Sequence, residues 1–401
     1  MDKVRATYKK FRVKSRVGRS EFYKYLKDRY GIKPSTSVIE TCTVNRRPPK
    51  ADFCLGVLVG PSGSGKTTTL RMFAPAVTPG QNRWKAGAPT MQHFRTPQVA
   101  ERMLSAVALN NVPDWLQPYK KLSGGQQFRA DLALALNRWR GERARKSYLV
   151  IDEYCSFLDD TTSKAISFRL QKHLRREGRT GVVLATLKPQ LLPYLKPDWV
   201  LHTGAMRCEL LTPPKWPRVR LKLEMRHITT EAGEQWRKFS RYHYLSHGFS
   251  RGAKSFLVYC NGELCGFHAS MRHMCPNNLI FAHRTVILPE FQGFGLGPAV
   301  HCLVGAYIKK SFPTFKYRVI TSHFNMIQSM QRRPDQWKER YSGVKRTKAA
   351  DFFEANKVKR ALTNFEYVGP SYHKPAPRLW NIRSGKTPSK VKLVLTARVR
   401  C

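Results

Sequence analysis

The feature that most constrains this chain is a glycine-rich loop placed between an apolar strand and a helix. Residues 53–59 (FCLGVLV) have the length and apolar character of a buried β-strand, and they lead directly into residues 60–67, GPSGSGKT. An apparent helix follows at residues 68–73. Glycines at these spacings let backbone N–H groups converge on one point, and the start of a helix adds partial positive charge there. This order of strand, loop and helix predicts a P-loop that binds phosphate groups.

Side chains in and after the loop predict the chemistry of a nucleoside triphosphate site. We expect Lys66 to neutralise the outer phosphates and Thr67 to ligate Mg²⁺. Residues 148–151 (YLVI) predict a second strand, which ends at Asp152 and Glu153. An acid at such a strand end can hold the metal through water, and the next acid can polarise the attacking water as the catalytic base. The residues predicted to bind the nucleotide in the loop are Gly60, Pro61, Ser62, Gly63, Ser64, Gly65, Lys66, Thr67 and Thr68.

Two further motifs extend this pattern. Residues 122–127 (LSGGQQ) precede a stretch rich in Ala and Leu that favours helix, and residues 156–159 (SFLD) follow the paired acids. Together with the loop and the acids, these motifs resemble the ABC-type ATPases over roughly residues 40–210. The resemblance implies ATP as the nucleotide and an ATP-dependent head-to-tail homodimer. In that dimer Ser123, Gly124 and Gly125 of one subunit face the γ-phosphate held by the other.

The chain departs from the ABC pattern at two positions. Leu187 stands where the family has its switch histidine, so we expect slow hydrolysis or a substitute group. The Q-loop glutamine is Gln92 in our interpretation, with Gln98 as the alternative. Lys66 and Asp152 are only 86 positions apart, which implies a reduced helical subdomain without an evident coupling surface for a membrane partner. Soluble ABC ATPases of DNA repair, chromosome architecture and translation are therefore the better analogy.

A second glycine loop occurs in the other half of the chain. Residues 281–288 predict a strand, residues 292–297 (QGFGLG) a turn, residues 298–308 an apolar helix, and residues 316–321 a further strand. A hairpin around Asn261-Gly262 precedes them. The order resembles motif A of the GNAT acyltransferases, across roughly residues 217–368. In that family backbone N–H groups at a helix start receive the pyrophosphate of acetyl-CoA.

The GNAT resemblance implies acetyl-CoA, or another acyl-CoA, as a cofactor of this half. The residues it implies for binding are Ile287, Leu288, Gln292, Gly293, Phe294, Gly295, Leu296, Gly297 and Pro298. The segments HYLS, LPEFQGFG, TSH and FEYVG are also similar to the Mom family of phage DNA-modifying acyltransferases. That similarity points to a nucleobase amine as the acyl acceptor, and fusions of the two modules occur in phage and bacterial members.

Acyl transfer needs a base for the acceptor amine, and no spacing rule identifies it uniquely. We rank His323 and Glu290 as the catalytic residues, ahead of His283, Ser322 and Tyr367. For each of them a surface or packing role remains the alternative. A cluster of cysteine and histidine residues between positions 260 and 275 matches no common zinc spacing, so we interpret its members as ordinary strand residues.

Charge indicates the partner class. The chain has 72 Lys and Arg against 26 Asp and Glu, a formal net charge of +46, concentrated in residues 1–50 (+11) and 301–401 (+17). Such a balance fits nucleic acid, with DNA preferred over RNA in our interpretation. No apolar run approaches the roughly 18 residues of a membrane span, so we expect no membrane partner. Nine cysteines without a C-x-x-C pair suit a reducing cytoplasm, that of the bacterial host if a phage encodes the chain.

These observations predict an α/β protein with a P-loop ABC-type nucleotide-binding domain followed by a GNAT-fold α/β acyltransferase domain. The predicted ranges are a basic N-terminal segment at 1–39, the ATPase domain at 40–212, the acyltransferase domain at 217–370 and a basic C-terminal tail at 371–401, although the alternating residues 391–399 also fit an edge strand. The alternatives are an ATPase associated with nucleic acid or ribosomes whose GNAT-like domain only binds, and an acetyltransferase of a protein or small amine.

Overall fold

The structure is a computed structural model. It describes residues 7–13, 21–31, 38–44, 53–71, 73, 76–139, 147–204, 208–211, 216–217, 219–243, 248–273, 278–345, 360–379 and 393–400. The chain divides into two compact units: Met1–Arg83, Leu134–Leu158 and Leu170–Pro217 form the first, and Trp84–Ala133, Asp159–Arg169 and Arg218–Cys401 form the second. Residues 84–133 and 159–169 therefore group with the C-terminal half, whereas the predicted domain ranges follow chain order.

Helices and strands alternate in the first half of the chain, and strands dominate the second. The strands are β1 (Thr7–Val13), β2 (Val38–Val44), β3 (Leu55–Val59), β4 (Ala76–Val77), β5 (Tyr148–Ile151), β6 (Val182–Thr186), β7 (Trp199–Thr203), β8 (Cys208–Leu211), β9 (Arg220–Ile228), β10 (Lys254–Cys260), β11 (Glu263–Arg272), β12 (Leu279–Ile287), β13 (Lys316–Thr321), β14 (Trp337–Lys345), β15 (Arg360–Tyr367) and β16 (Val394–Arg400). The helices are α1 (Glu21–Tyr30), α2 (Lys66–Leu70), α3 (Pro97–Ala106), α4 (Val112–Trp115), α5 (Gly124–Arg138), α6 (Asp160–Arg176), α7 (Leu192–Leu195), α8 (Ala232–Ser240), α9 (Leu296–Ser311) and α10 (Phe324–Gln331). Short 3₁₀ helices lie at Pro79–Gln81, Thr90–His93, Tyr119–Lys121, Pro189–Leu191 and Pro289–Phe291.

The first unit is built on an eight-stranded sheet in the order β1-β2-β8-β7-β3-β6-β5-β4. Strand β3 lies between β6 and β7 and runs parallel to both. All five of its residues are buried, which is why this strand reads as a continuous apolar run in the sequence. Beneath it the ring of Trp199 stacks on Phe73 at 5.7 Å and meets Phe53 edge-on at 5.3 Å. This aromatic cluster supports the strand that leads into the first glycine loop.

The second unit is built on a sheet in the order β14-β15-β13-β12-β11-β10-β9-β16. Its pairs are antiparallel except β12 with β13, which are parallel and pair only where Leu279–Phe281 meets Lys316–Arg318. The two strands pair no further towards their carboxyl ends. Helix α9 follows β12 and contacts β9, β12, β13, β15 and β16. The mixed α/β composition predicted from the sequence is confirmed.

Two local predictions can be compared with the backbone. The hairpin β10–β11 turns at Asn261 and Gly262, whose φ angles of 51° and 94° are those of a two-residue turn favoured by Asn-Gly. Residues 394–400 form the edge strand β16, paired along its length with β9, so the edge-strand alternative holds for this part of the predicted tail. Among the described residues, none of the helices is both long and apolar enough to span a bilayer.

Candidate functional site

The first glycine loop connects the central strand β3 to helix α2. Gly63 and Gly65 have φ angles of 75° and 81°, in the left-handed region, and Gly65 is the N-cap of the helix. A Cβ atom on Gly60 would lie 2.2 Å from the carbonyl oxygen of Thr203 in β7. Glycine is therefore required at position 60 by a close approach and at positions 63 and 65 by backbone conformation.

Lys66 is held against the backbone of this loop. Its Nζ atom donates to the carbonyl oxygens of Gly60 at 2.9 Å and Pro61 at 2.6 Å, and the residue is 9% exposed. Burial lowers the pKa of Lys66, while the carboxylates of Asp152 and Glu153 oppose that lowering. The loop thus places one ammonium group close to the two acids at the end of β5.

The structure brings the predicted metal ligands together. The Oγ1 atom of Thr67 donates to Oδ2 of Asp152 at 2.6 Å, although the two residues are 85 positions apart. The other oxygen of Asp152 accepts from the backbone N–H of Glu153 at 2.9 Å. A hydroxyl and an exposed carboxylate are the hard oxygen donors that Mg²⁺ takes alongside water and phosphate, so these residues fit that ion. The described residues contain no group of three or more His, Cys, Asp or Glu side chains arranged to hold a metal.

Glu153, the predicted base, has an unusual backbone conformation. Its φ angle is 48°, in the left-handed region that a non-glycine residue rarely adopts. The hydroxyl of Ser156 donates to its carbonyl oxygen at 2.9 Å, and the residue is exposed. Strain of this kind persists where surrounding contacts enforce it, and it is frequent at functional sites.

The structure describes the end of β6, after which the ABC resemblance leads us to expect a switch histidine. Thr186 is fully buried, and its hydroxyl donates to the carbonyl oxygen of Tyr154 at 3.0 Å. Leu187, the next residue, is 46% exposed. The Nζ atom of Lys188 donates to the carbonyl oxygen of Leu158. An apolar side chain, with no titratable group, therefore occupies the position of the expected histidine.

The LSGGQQ motif forms the start of helix α5. The backbone N–H of Ser123 donates to Oε1 of Gln126 at 2.9 Å, and the N–H of Gln126 returns to Oγ of Ser123 at 3.4 Å. This reciprocal pair is a capping box, which leaves the adjoining Gly124 exposed at the helix terminus. Gln126 is further held by Asp114, whose Oδ2 accepts from its Nε2 at 2.8 Å. Ser123 and Gln126 thus have a local folding role in addition to any role towards a nucleotide.

Gln92 lies exposed in the 3₁₀ helix Thr90–His93, beside an aromatic group that sequence reasoning missed. The rings of Trp84 and Tyr119 stack at 4.6 Å, and Asp131 accepts from Trp84 Nε1 at 2.7 Å and from the Tyr119 hydroxyl at 2.6 Å. Burial and the hydrogen bond to Asp131 raise the pKa of Tyr119. The residues of this aromatic group are at most 47 positions apart in the sequence, but no periodic pattern identifies them.

The second glycine loop has the backbone conformation expected of a tight turn into a helix. Gly293 and Gly295 have φ angles of 107° and 78°, and Gly295 is the N-cap of α9. Gln292 fastens the loop to the preceding strand, because its Nε2 donates to the carbonyl oxygen of Ile287 at 2.8 Å. The predicted sequence of strand, glycine turn and helix is therefore present at this position.

The first part of this second loop contacts side chains of α6 and of the segment that follows α3. A Cβ atom on Gly293 would lie 2.7 Å from Cγ of Arg169 and 3.5 Å from Cβ of Ala108. Phe294 is 5% exposed, and its ring stacks on Phe168 at 6.2 Å. This contact has no signal in the sequence, because its two sides are more than a hundred positions apart. The loop predicted to bind the pyrophosphate therefore contacts other side chains of the same chain.

The predicted acyltransfer residues lie on different elements. Glu290 is in the 3₁₀ turn before the glycine loop, and His323 is the N-cap of α10. Burial lowers the pKa of His323, a backbone hydrogen bond opposes this, and the charge of Arg169 adds to the lowering. Burial and then the charge of Arg284 lower the pKa of His283 to about 4, and its Nε2 accepts from the N–H of Ser250 at 3.2 Å.

A buried hydrogen-bonded network in the second unit was also missed by sequence reasoning. His268 Nδ1 lies 2.9 Å from Oγ1 of Thr285, and its Nε2 lies 2.7 Å from Oγ of Ser270. His301 Nδ1 lies 2.8 Å from the Tyr317 hydroxyl, and the two imidazole rings are 5.3 Å apart. Burial lowers the pKa of both histidines, that of His301 to about 3. Both rings are therefore neutral at pH 7.

Two of the cysteines considered for zinc lie in strands. Cys260 and Cys265 are buried in the β10–β11 hairpin, and burial raises the pKa of the Cys260 thiol to about 11. Cys275, the last member of that cluster, lies outside the described residues.

A basic surface lies on the exposed face of β9 and its neighbours. Lys222 is directly opposite Arg398 of the edge strand β16, so two like charges share one cross-strand position. Arg226 lies on the same face, with its guanidinium 4.2 Å from the ring centre of Tyr259, and Glu224 is its ion-pair partner at 2.7 Å. The sequence also has basic clusters at residues 8–16, 138–146 and 338–348, of which residues 14–16, 140–146 and 346–348 lie outside the described residues.

Comparison with known proteins gives matches to solved structures alone. No protein-family model matches the sequence, and no curated protein matches it. One matching structure is a dimeric ATP-binding cassette in a post-hydrolysis state bound to ADP and Pi, with 19% identity, a TM-score of 0.32, and coverage of 42% of this chain and 89% of that one. Another is RNase-L Inhibitor, with 16% identity, a TM-score of 0.33, and coverage of 43% of this chain and 36% of that one.

A third match is cbiO1 from Clostridium perfringens, part of the ABC transporter complex cbiONQ. Its identity is 19% and its TM-score 0.29, over 38% of this chain and 74% of that one. All three proteins are similar to this chain at low identity and low TM-score.

Proposed function

We propose that the first half of the chain is an ABC-type ATPase that binds ATP with Mg²⁺. The observation that carries this proposal is the hydrogen bond between Thr67 and Asp152, beside the buried Lys66. This hydrogen bond joins the end of β5 to helix α2, which follows the parallel strand β3. A hydroxyl, a carboxylate and an ammonium group therefore lie at one position. Thr67 and Asp152 would hold the ion, Lys66 would face the outer phosphates, and Glu153 would polarise the attacking water.

Binding of a fluorescent ATP analogue tests the assignment. Lys66→Ala should weaken binding about 10- to 100-fold, the effect of losing a charge-assisted hydrogen bond. Lys85→Ala removes an exposed lysine outside the loop and should leave binding unchanged. Equal affinity in Lys66→Ala and wild type would refute the nucleotide site.

We also propose an ATP-dependent head-to-tail homodimer in which Ser123, Gly124 and Gly125 meet the γ-phosphate of the partner. Two features support it: Gly124 is exposed at the start of α5, and the large apolar side chain of Phe157 is 86% exposed directly after the paired acids. Exposed apolar side chains of this size fit a surface that a second subunit covers. Light scattering with and without ATP measures the change in mass.

For the second half we propose acyl transfer from acetyl-CoA, or another acyl-CoA, to a nucleic acid, with DNA preferred over RNA. Support comes from the parallel pair β12–β13, which separates after three residue pairs, and from the glycine turn that leads into α9. Ile287, Leu288 and residues 292–298 would contact the cofactor, and His323 or Glu290 would act as the base. The basic face with Lys222, Arg226 and Arg398 would contact phosphates.

The principal alternative is an ATPase whose GNAT-like domain binds without catalysis. The contact of Arg169 with Gly293 favours it, because it places a protein side chain against the first glycine of the loop. Incubation with radiolabelled acetyl-CoA and DNA, RNA or a basic protein separates the possibilities. A labelled nucleic acid supports the leading proposal, a labelled protein or small amine supports a different acceptor, and no label on any acceptor supports the non-catalytic domain. Either enzyme would act in a bacterial cytoplasm, that of the host if a phage encodes it.

A further inference from the structure

Two residues of the turn that follows β5 have a left-handed backbone. The φ angle of Glu153 is 48° and that of Cys155 is 60°. Neither residue is glycine, so each conformation is unfavourable by itself and persists only where contacts of the folded protein enforce it. Tyr154 lies between them and is fully buried. The backbone beside the proposed catalytic base is therefore held in place by its neighbours.

The end of β6 binds Tyr154 through both of its backbone groups. The N–H of Tyr154 donates to the carbonyl oxygen of Ala185 at 2.7 Å, and its carbonyl oxygen accepts from Oγ1 of Thr186 at 3.0 Å. Thr186 is fully buried, so removal of its hydroxyl would take this donor from a carbonyl group in the interior. The hydroxyl oxygen also accepts from the backbone N–H of Lys188 at 3.1 Å. The Thr186 hydroxyl therefore joins the turn to the chain that leaves β6.

Lys188 binds the far end of the same turn. Its Nζ atom donates to the carbonyl oxygen of Leu158, so residues 153–158 are fastened to the end of β6 at two places. Leu187 lies between the two polar residues and is 46% exposed. Thr186 and Lys188, which we call the clamp, thus contact the turn from positions on either side of Leu187. The clamp and the turn belong to the same compact unit.

The turn places Glu153 beside the other groups of the proposed nucleotide site. Its backbone N–H donates to Oδ1 of Asp152 at 2.9 Å, and Oδ2 of that carboxylate accepts from Thr67. The charges of Asp152 and Glu153 oppose the lowering of the Lys66 pKa by burial, so both carboxylates lie near the loop. A general base must be within hydrogen-bond reach of the proton that it accepts. A rotation of the backbone at residue 153 would move the carboxylate out of that reach.

We propose that Thr186 and Lys188 are positioning residues, whose hydrogen bonds to residues 154–158 keep the carboxylate of Glu153 where it can accept a proton from the attacking water. This inference rests on the proposed ATPase function of the first half. In the step concerned, the water oxygen bonds to the γ-phosphorus of ATP, the bond from that phosphorus to the bridging oxygen of ADP breaks, and the water proton goes to Glu153. The clamp acts through the backbone of the turn and needs no contact with the nucleotide.

The first test compares kcat for ATP hydrolysis with the affinity for a fluorescent ATP analogue, on the full chain. Thr186→Val keeps the shape of the side chain and removes the hydroxyl. Its kcat should fall about 10- to 100-fold at unchanged Kd, since a displacement of about 1 Å at a catalytic group has an effect of this size. Thr186→Ser keeps the hydroxyl and should restore most of the kcat. Lys188→Met should lower kcat in the same way.

Thr363→Val is the control for the loss of a buried hydroxyl. Thr363 is 4% exposed, and its Oγ1 atom lies 3.2 Å from Oγ of Ser342 in the second unit. This variant should lose stability in chemical denaturation and keep the kcat of the wild type. If Thr186→Val and Lys188→Met likewise lose stability but keep their kcat, the clamp has a structural role alone and the proposal is overturned. Weaker ATP binding at unchanged kcat would also overturn it, because the clamp would then contact the nucleotide.

The second test separates the clamp from the ATPase function. Hydrogen exchange at the amides of residues 153–158 reports how firmly the turn is held without any nucleotide. Exchange should be faster in Thr186→Val than in wild type and Thr186→Ser. This pattern supports the clamp even if the wild type hydrolyses no ATP, in which case only the proposed ATPase function fails. Equal exchange in wild type and Thr186→Val overturns the clamp, and hydrolysis that is lost in Glu153→Gln would then leave the ATPase function standing.

Discussion

At the residue scale, the paired acids after β5 differ in how they are held, which suits the two different roles proposed for them. Asp152 is fixed from two sides, by Thr67 and by the backbone N–H of Glu153. Glu153 is exposed, and its left-handed backbone conformation turns the chain directly after the strand. Asp152 is thereby suited to a metal and Glu153 to the attacking water.

Replacing the base should separate ATP binding from ATP turnover. Glu153→Gln preserves size and removes the basic oxygen, so hydrolysis should fall about 10²- to 10⁴-fold while ATP remains bound. Steady-state phosphate release and light scattering check this together, because a slow variant should accumulate as the ATP-bound dimer. Glu234→Gln removes an exposed carboxylate on α8 and is the matched control. Wild-type hydrolysis in Glu153→Gln would assign the base to another residue.

The buried histidines predict a dependence of stability on pH. The pKa of His301 is lowered from 6.5 to about 3 in the folded protein, so between these values the unfolded chain binds a proton that the folded chain does not. Stability is therefore complete above pH 6.5 and is lost as the pH falls below it, by about 1.4 kcal/mol per pH unit for one such histidine. His268 and Tyr317 face the same network, and His268 adds to the slope. Urea unfolding between pH 7.5 and 5 measures it, and His301→Gln should reduce the slope by that amount. An unchanged slope in His301→Gln would contradict the buried neutral state of this histidine.

Individual site residues could be predicted from the sequence where the spacing within a motif indicates their chemistry. Lys66 and Thr67 follow from the loop motif, and Asp152 follows from the strand that precedes it. The network of His268 and His301 could not be predicted, because its members come from β11, β12, β13 and α9 and meet only when the sheet is formed.

At the scale of elements, strand β3 depends on a glycine that carries no nucleotide chemistry. A Cβ atom on Gly56 would lie 1.9 Å from the ring of Trp199, so the sheet and the aromatic cluster below it fit only when position 56 has no side chain. Gly56→Ala should destabilise the protein by about 1–3 kcal/mol, the usual cost of overpacking a core. Gly80→Ala is the matched control, since a Cβ there meets nothing within 4 Å. Chemical denaturation checks the pair, and equal stability of the two variants would contradict the packing described for β3.

Elements with strong local signals were predictable, and contacts between distant elements were not. The strand before the first loop and the hairpin at Asn261-Gly262 were predicted from apolar length and turn chemistry. Helix α2 is shorter than the apparent helix in the sequence, since the structure ends it at Leu70. The contact of Arg169 with Gly293 has no local signature on either side of it. It places a side chain of α6 against the first glycine of the second loop.

At the scale of the whole molecule, the net charge of +46 exceeds what the two proposed cofactors would need. In both proposed sites backbone N–H groups would contact the phosphates, so few side-chain cations would be required for either cofactor. Lys222 and Arg398 lie opposite each other on an exposed sheet face, where Glu224 is ion-paired with Lys222 at 3.6 Å, and a polyanion bound there would add a further anionic partner for both cations.

Duplex DNA binding should therefore depend on salt through this face. Replacing both Lys222 and Arg398 with Gln should lower the slope of log K against log salt by about 1.8, the value for two phosphate contacts. A double variant Lys120→Gln with Lys121→Gln removes the same charge from a different element and should have a smaller effect. Fluorescence anisotropy over a salt series gives both slopes, and equal slopes would refute a specific role for the β9–β16 face.

The central proposal is that this chain uses ATP and an acyl-CoA to modify a base in nucleic acid. Mass spectrometry of nucleosides from the DNA of bacteria that express it tests this most directly. We expect a new nucleoside, heavier than its parent by an acyl group, in cells with the wild-type chain and its absence in cells with Lys66→Ala. An unchanged nucleoside spectrum with abundant wild-type protein would contradict the proposal and favour an ATPase whose second unit only binds.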